Sequence, residues 1–459
     1  MYDYDLIVIG AGPGGYEAAL HAAKSGLKTA LVERREVGGT CLNRGCIPTK
    51  ALLHASSVFE EAKQGISMGI TANSLCYDLP AMFTYKQQVV EKLRSGVEGL
   101  LKSAKVTLLR GTGTLSAPNT VTVTGENEGV YTANRILLAT GSIPSRPPIP
   151  GLDLEGVLTS DELLNGEGGE FKSIIIIGGG VIGMEFATFY TDLGINVTVV
   201  EGLDRLLPNM DRELGQNLAM IMKKRGVTVY TGAMVKNLEK SEAGLLVHFE
   251  SKGQLVSVVG ERVLCAIGRR PYTEGLLGEG MTLEMEGRRI KVNERFETSL
   301  SGIYAIGDVS SPVQLAHVAT AQGIRAVNEI AGKPDQTDLS LIPGCVYTRP
   351  EIASVGLTEA EAKAQNIPVK AGKALMSANG RTVIINGDRG FMKLIAHAET
   401  KRLLGAQLMC QNASDMISQL SEAIANGQTP EDLLKAMRPH PTFEEALSDA
   451  MRDLSAKLA

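Results

Sequence analysis

The sequence lacks the features that would assign a chain of 459 residues to a membrane, to nucleic acid or to a secretory route. No apolar run approaches the roughly 20 residues that a membrane-spanning helix needs. The net charge of −5 leaves no basic excess for nucleic acid or anionic lipid. Residues 1–5 are acidic and lead directly into a strand-like run, which is typical of neither a signal peptide nor a transit peptide. We therefore expect a soluble, cytoplasmic protein.

Cysteine is also scarce, with six residues in the chain. In a reducing compartment, so few cysteines argue against a structural disulfide framework. Cys41 and Cys46 nevertheless lie close together in sequence. Positions five apart on a regular helix have Cα atoms roughly 8.7 Å apart, whereas a disulfide needs about 4.4–6.8 Å. A bond between them would require a distorted helix start, for which Gly45 supplies a permissive backbone position before a helix predicted over residues 50–64. Two buried free thiols are the alternative interpretation.

Glycine is abundant, with 51 residues, and the first of two glycine-rich motifs lies near the start of the chain. It contains Gly10, Gly12 and Gly15 and predicts a strand, a tight turn, a helix to about residue 25 and a second strand that ends at Glu33. This is the dinucleotide-binding pattern. Its glycines let a pyrophosphate approach the backbone at a helix N-terminus, and its acid accepts hydrogen bonds from a ribose.

The second motif repeats the first over residues 173–201, with Gly178, Gly180, Gly183 and Glu201 all at the same offset from their counterparts. One such motif is weak evidence, because a glycine turn before a helix is often only packing. Two copies, each with an acid at the same distance, predict two dinucleotide sites. A carboxylate at Glu201 accepts a free 2′-hydroxyl and repels a 2′-phosphate, so we expect the second site to prefer NAD over NADP.

The remaining pattern completes the domain organisation. It predicts a helix over 79–103, a proline-rich linker over 143–150, a three-stranded meander between about 235 and 263, and a helix over 314–331. From residue 340 onward, mixed strands and helices contain no glycine motif. We predict an α/β chain with two Rossmann-like dinucleotide-binding domains and a C-terminal α+β domain, divided into residues 1–147, 148–270, 271–339 and 340–459.

Asp308 follows a glycine at the end of a predicted strand, where an acid is suited to bind a ribitol hydroxyl. With this acid, the two glycine motifs and the cysteine pair, the sequence resembles the pyridine nucleotide-disulfide oxidoreductase family over essentially its whole length. It is most similar to the members that oxidise dihydrolipoamide. The resemblance implies a redox disulfide between Cys41 and Cys46, with FAD and NAD as cofactors. It assigns residues 1–147 and 271–339 to FAD, 148–270 to NAD, and 340–459 to homodimer formation.

The resemblance also implies which residues bind the cofactors. It places FAD along Gly10, Gly12, Gly15, Glu33, Lys50, Gly113, Thr140, Gly141, Asp308 and Ala316. It places NAD along Gly178, Gly180, Gly183, Glu201, Val235 and Gly268. Lys50 and Glu185 are similar to the family's ion pair beside the reacting edge of the flavin. Outside this context, each would be interpreted as a solvated surface charge.

The last chemical group comes from His440, which precedes Pro441 and lies five residues before Glu445. An isolated histidine is most often an ordinary surface or core residue. Here His440 resembles the family's catalytic base, which acts on the disulfide of the other subunit, and Glu445 resembles the acid that orients it. No metal site is predicted.

These groups imply that protein-bound dihydrolipoamide is oxidised to lipoamide while NAD⁺ is reduced. The implied partner is the lipoyl domain of a 2-oxo acid dehydrogenase or glycine cleavage complex. A glutathione-type reductase is the nearest competitor, but Glu201 argues against the NADP that such an enzyme uses. A docking component with secondary dehydrogenase activity is the alternative from another class. Arg44 and Arg438 depart from the commonest family pattern, and we expect them to place positive charge near the substrate channel and to favour an acidic partner.

Overall fold

The computed structural model describes residues 1–335, 337–387 and 389–459. Two parallel sheets, each with helices on one face and antiparallel strands on the other, are followed by an antiparallel sheet with C-terminal helices. This is the predicted mixed α/β fold. Among the described residues, no helix combines the length and the apolar character needed to cross a bilayer.

The first unit contains the first glycine turn and the cysteine pair. Its elements are β1 (Tyr4–Ile9), α1 (Pro13–Lys24), β2 (Thr29–Glu33), α2 (Gly39–Arg44), α3 (Cys46–Gly65), α4 (Leu79–Ser103), β3 (Thr107–Arg110), β4 (Thr112–Ala117), β5 (Thr120–Thr124), β6 (Gly129–Leu138) and β7 (Ser142–Pro144). The strand order is β3-β2-β1-β6-β5-β4, in which β1, β2, β3 and the end of β6 are parallel and β4 to β6 form an antiparallel meander.

The second unit repeats this plan around the second glycine turn. Its elements are β8 (Val157–Leu158), α5 (Ser160–Leu164), β9 (Ser173–Ile177), α6 (Val181–Asp192), β10 (Asn196–Val200), α7 (Arg212–Lys224), β11 (Thr228–Tyr230), β12 (Ala233–Ser241), β13 (Gly244–Ser251), β14 (Gln254–Gly260), β15 (Arg262–Cys265) and β16 (Arg269–Pro271). The parallel sheet has the order β11-β10-β9-β15-β8, and β12 to β14 form the predicted meander.

The chain then returns to the first unit before it forms the C-terminal domain. The returning elements are β17 (Met285–Glu286), β18 (Arg289–Ile290), β19 (Ile303–Ala305) and α8 (Ala316–Ile330), with β19 parallel to β6. The C-terminal elements are β20 (Gly344–Val346), β21 (Glu351–Gly356), α9 (Glu359–Ala364), β22 (Val369–Leu375), α10 (Gly380–Ile384), β23 (Phe391–His397), β24 (Leu403–Cys410), α11 (Ala413–Ala425), α12 (Pro430–Leu434) and α13 (Glu445–Leu458). Their antiparallel sheet has the order β20-β21-β24-β23-β22.

Alternating side chains explain why both central strands are apolar along their whole length. In β1, Leu6 and Val8 pack with residues of α1 and α8, whereas Ile7 packs with the meander strand β5. In β9, Ile176 packs with α6 and Ile175 packs with β13. Because each central strand is covered on both faces, its sequence is a continuous apolar run, as is typical of parallel sheets. The run ends where the glycine turn begins.

The two connections between the first and second units lie side by side. Strand β7 leaves the first unit and pairs antiparallel with β16, which returns from the second. The predicted linker therefore begins inside a short strand, and the division points at residues 147, 270 and 339 stay a prediction. The helix predicted over 79–103 is confirmed by α4. Strand β4 was not predicted, because its sequence Thr-Gly-Thr-Leu-Ser-Ala has few apolar residues.

Candidate active site

The cysteine pair lies at a break between two helices. Cys41 is in α2, Cys46 is the first residue of α3, and the backbone of Gly45 between them has φ −148° and ψ −107°. The helix predicted to begin near residue 50 therefore begins at Cys46, and the predicted distortion is a complete interruption. The two cysteines are free thiols on either side of this interruption, and each shifts the pKa of the other.

The two thiols differ in how readily each loses its proton. The hydrogen bond from Cys41 lowers the pKa of Cys46 to about 7, and the Lys50 ammonium lowers it further, against the opposing effect of burial. The hydrogen bond to Cys46 and burial together raise the pKa of Cys41. Cys46 is therefore the sulfur that carries negative charge most readily, which suits it to be a leaving group or an electron donor.

A partly buried ion pair lies one helical turn beyond Cys46. Lys50 Nζ is 2.8 Å from Glu185 Oε1 and 2.7 Å from Oε2, and the Glu185 side chain is only 4% exposed. The backbone N–H of Tyr347 donates to the same carboxylate at 3.1 Å, and the Lys50 ammonium lies 4.6 Å from the centre of the Tyr347 ring. Segments from the first unit, the second unit and the C-terminal domain thus meet at this pair.

The acids of the two dinucleotide motifs are held in the same way. Glu33 accepts hydrogen bonds from the N–H groups of Ala11 and Arg35, each at 2.8 Å. Glu201 accepts from the N–H groups of Gly179 at 2.5 Å and Leu203 at 2.7 Å. Each carboxylate oxygen retains a lone pair for a ribose hydroxyl, because a carboxylate accepts about four hydrogen bonds.

The glycine turns have the shape that a pyrophosphate requires. Gly10 and Gly178 have φ of +105° and +112°, a conformation that favours glycine. A Cβ on Gly183 would lie 2.0 Å from the carbonyl oxygen of Gly178, so this position is closed by packing. A Cβ on Gly12 or Gly180 would instead meet no protein atom within 4 Å, so the approach to each helix N-terminus is open. Neither helix has a side-chain cap on its N-terminal N–H groups, which leaves them for an anion.

The carboxylate predicted to bind ribitol lies in a polar network. Asp308 Oδ2 accepts a hydrogen bond from Ser142 Oγ at 2.5 Å, and Arg269 Nε donates to the same hydroxyl at 2.9 Å. Burial raises the pKa of Asp308, although Ser142 and the Arg269 charge oppose that shift. Sequence reasoning missed Ser142 and Arg269. Each directly follows a predicted cofactor residue, Gly141 and Gly268 respectively, and this adjacency was the available signal.

The other predicted cofactor residues lie in several strands, turns and one helix start. Thr140 Oγ1 donates to the carbonyl of Tyr272 at 2.6 Å. Gly113 in β4 lies against Val32, and Ala316 is the first residue of α8. Gly141 and Gly268 have positive φ, and a Cβ at either position would meet no protein atom within 4 Å. Val235 is buried in β12.

The predicted histidine and its acid form a hydrogen-bonded pair. His440 Nδ1 lies 2.8 Å from Glu445 Oε1, and the N–H of Thr442 donates to Glu445 Oε2 at 2.9 Å. The His440 side chain is 79% exposed in the single chain. The Thr442 N–H and the hydrogen bond to His440 lower the pKa of Glu445. An ionised Glu445 favours the tautomer with the proton on Nδ1, which leaves Nε2 as a base.

The two arginines that depart from the family pattern differ in their surroundings. Arg44 forms an ion pair with Glu36 and is only 14% exposed, so its positive charge is compensated within the chain. The expectation that Arg44 places positive charge near a substrate channel stays a prediction, with Glu36 as a partner that offsets part of this charge. Arg438 donates to Ser448 Oγ at 3.0 Å, and burial lowers its pKa. Among the described residues, no group of three or more His, Cys, Asp or Glu side chains is placed to hold a metal ion.

Comparison with known proteins agrees with this geometry. Residues 4–323 match the family model described as pyridine nucleotide-disulphide oxidoreductase, and residues 342–451 match its dimerisation domain. A dihydrolipoyl dehydrogenase of Bacillus subtilis (strain 168) is 40% identical over 98% of this chain and 97% of its own. One from Thermus scotoductus is 42% identical over 99% and 98% of the two chains.

Solved structures give the same result. The Cu(II) complex of the HOCl-induced flavoprotein disulfide reductase RclA from Escherichia coli has a TM-score of 0.87 to this chain. Its sequence identity is 28%, and the match covers 98% of this chain and 99% of that one. The chain belongs to the pyridine nucleotide-disulphide oxidoreductase family.

Proposed function

We propose that this chain is a flavin-dependent enzyme that oxidises dihydrolipoamide to lipoamide and reduces NAD⁺, with Cys41 and Cys46 as its redox pair. The observation that carries the proposal is the placement of Cys41 and Cys46 on either side of the helix break at Gly45, with the Lys50–Glu185 ion pair one turn further along α3. The dihydrolipoyl dehydrogenases that are about 40% identical over nearly the whole chain support the choice of substrate.

The residues present fit both cofactors. FAD would be held by the first glycine turn and by Glu33, Lys50 and Asp308. NAD would be held by the second glycine turn and by Glu201. The open space beside Gly12 and Gly180 and the uncapped N-termini of α1 and α6 support this assignment. When bound, FAD passes two electrons from the dithiol to NAD⁺.

The thiol chemistry follows from the charges on the two sulfurs. A substrate thiol transfers its proton to His440 Nε2, and its sulfur attacks Cys41 of the oxidised pair. The Cys41–Cys46 bond breaks, and Cys46 leaves as a thiolate, which its low pKa makes favourable. The second substrate thiol then displaces Cys41 and gives it a proton. The products are lipoamide, the Cys41 thiol, the Cys46 thiolate and protonated His440, so protons and electrons balance.

His440 would act on the cysteine pair of the other subunit in a homodimer. The dimerisation domain matched over 342–451 supports this arrangement, as does the exposure of His440 in the single chain. The Glu445 carboxylate would orient the ring through its hydrogen bond to Nδ1. The natural substrate would be the lipoyl domain of a 2-oxo acid dehydrogenase or glycine cleavage complex, and we place the reaction in the cytoplasm.

One assay separates this proposal from its competitors. Purified, flavin-loaded protein should reduce NAD⁺ with free dihydrolipoamide and should reduce NADP⁺ much more slowly. A glutathione-type reductase would instead oxidise NADPH with glutathione disulfide. A docking component would show little turnover with either pair of substrates.

A further inference from the structure

One cavity has neither the cysteine pair nor the Lys50–Glu185 ion pair in its lining. It is lined by a lysine that the proposed reaction does not use. The cavity has a volume of about 450 Å³ and lies between the N-terminal part of α4, the loop after α5, and α6. Small-molecule sites commonly have volumes of roughly 300–1,000 Å³. Lys86 lines this cavity and is only 7% exposed. The cavity is therefore large enough for a ligand and has a charged group in its wall.

The Lys86 ammonium is only partly satisfied by the protein. Its Nζ donates one hydrogen bond, at 2.7 Å, to the carbonyl oxygen of Leu164, the last residue of α5. The centre of the Phe83 ring lies 5.2 Å from the same Nζ. No carboxylate among the described residues forms an ion pair with it, and burial lowers its pKa. Capping α5 accounts for one of its three N–H groups and leaves the other two for an acceptor.

A second polar side chain lies in the same wall. Tyr190 in α6 lines the cavity and is only 2% exposed, and within the described part of the chain its hydroxyl has no hydrogen-bond partner. The same cavity thus contains two donors with unused capacity, and these donors come from different units of the fold.

The rest of the lining defines what the ligand must be. Leu79, Phe83 and Leu163 supply apolar surface, and the other charged group in the described lining is Glu170, which is exposed. A single buried cation with an acid on the same lining favours a ligand with one negative charge over a phosphate or a polycarboxylate. The apolar surface favours a ligand with a hydrocarbon body. We propose that this cavity binds a small amphipathic monocarboxylate, with the carboxylate at Lys86 and Tyr190 and the hydrocarbon body against Phe83.

Calorimetric titration of the flavin-loaded protein with octanoate tests this proposal directly. We expect saturable binding at one site per chain and much weaker binding of octan-1-ol, which has the same chain length without the charge. Lys86→Met should weaken octanoate binding about tenfold or more, the loss typical of one hydrogen bond to a charged group. Lys92→Met, on the exposed side of the same helix, should leave the affinity unchanged.

Tyr190→Phe keeps the ring and removes only the hydroxyl, so it tests the site even if Lys86→Met fails to fold. We expect it to weaken octanoate binding about threefold to tenfold. Absence of saturable binding to the unmodified protein would overturn the proposal. So would octan-1-ol binding as tightly as octanoate, or an affinity that neither Lys86→Met nor Tyr190→Phe changes. Because the readout is binding, its result does not depend on whether the chain oxidises dihydrolipoamide.

Discussion

Lys50 Nζ lies 2.7 Å from Glu185 Oε2, and this ion pair joins the helix that begins at Cys46 to the helix that follows the second glycine turn. The pair therefore connects the helix that contains Cys46 directly to the proposed NAD-binding unit. Its positive end also lowers the pKa of Cys46.

In the reduced protein, Cys46 should react with iodoacetamide with a pH midpoint near 7, lower than the roughly 8.5 of an ordinary cysteine. Lys50→Met should raise that midpoint, because the ammonium no longer stabilises the thiolate. Alkylation rates measured by peptide mass spectrometry as a function of pH provide the test. Cys76, which is exposed and not part of the pair, is an internal control in the same sample. A Cys46 midpoint equal to that of Cys76 would contradict the predicted charge distribution.

His440→Ala should reduce turnover of dihydrolipoamide by about 10²-fold to 10⁴-fold, the usual contribution of a general base. Glu445→Gln should have a smaller effect, because the imidazole remains but loses the carboxylate that orients it. Steady-state kinetics with dihydrolipoamide and NAD⁺ give both values. The matched control is His54→Ala, which changes an exposed histidine of α3 outside this pair. If His440→Ala and His54→Ala had equal activity, His440 would not be the base.

Glu33 and Glu201 accept equivalent hydrogen bonds from the backbone. The same substitution at each position therefore shows which of the two proposed sites binds which cofactor. Glu201→Gln removes the charge that repels a 2′-phosphate. It should raise the ratio of kcat/KM for NADP⁺ to that for NAD⁺ by about tenfold, equivalent to roughly 1.4 kcal/mol. Glu33→Gln should leave this ratio unchanged and should weaken retention of flavin during dialysis. The opposite pattern would mean that the two sites are exchanged.

Gly180 and Gly183 distinguish space for a ligand from space required by packing. Gly180→Ala adds a methyl group where no protein atom lies within 4 Å, so its melting temperature should match that of the unmodified protein. Its KM for NAD⁺ should rise about tenfold or more, because the backbone can no longer approach the pyrophosphate. Gly183→Ala would place Cβ 2.0 Å from the Gly178 carbonyl oxygen, so its melting temperature should fall. An unchanged KM in Gly180→Ala would exclude this turn from NAD binding.

Local sequence patterns predicted the parts of the fold that depend on neighbouring residues. The two glycine motifs predicted both turns, because positive φ and close helix-strand contact require glycine at those positions. The span of α4 followed from its apolar spacing. The start of α3 was predicted four residues too late, because the interruption falls at Gly45 and leaves Cys46 as the first residue of the second helix. Strand β4 was missed for a related reason, since it is stabilised by pairing with β5.

In the candidate site, contacts between residues close in sequence could be predicted and contacts between distant segments could not. The contact between His440 and Glu445 could be predicted because the two residues are only five apart in sequence. The interactions of Tyr347 with Glu185 and of Arg269 with Ser142 could not, because each joins segments more than 100 residues apart. The positive charge of Arg44 was predicted, but its ion pair with Glu36 was not, and that pair is found only in the folded chain.

The most direct test of the central claim is NAD⁺ reduction by dihydrolipoamide, measured for the flavin-loaded protein and for Cys41→Ser and Cys76→Ser side by side. The account predicts rapid turnover by the unmodified protein and by Cys76→Ser, and no detectable turnover by Cys41→Ser at full flavin occupancy. Turnover of dihydrolipoamide by Cys41→Ser at the rate of the unmodified protein would contradict it.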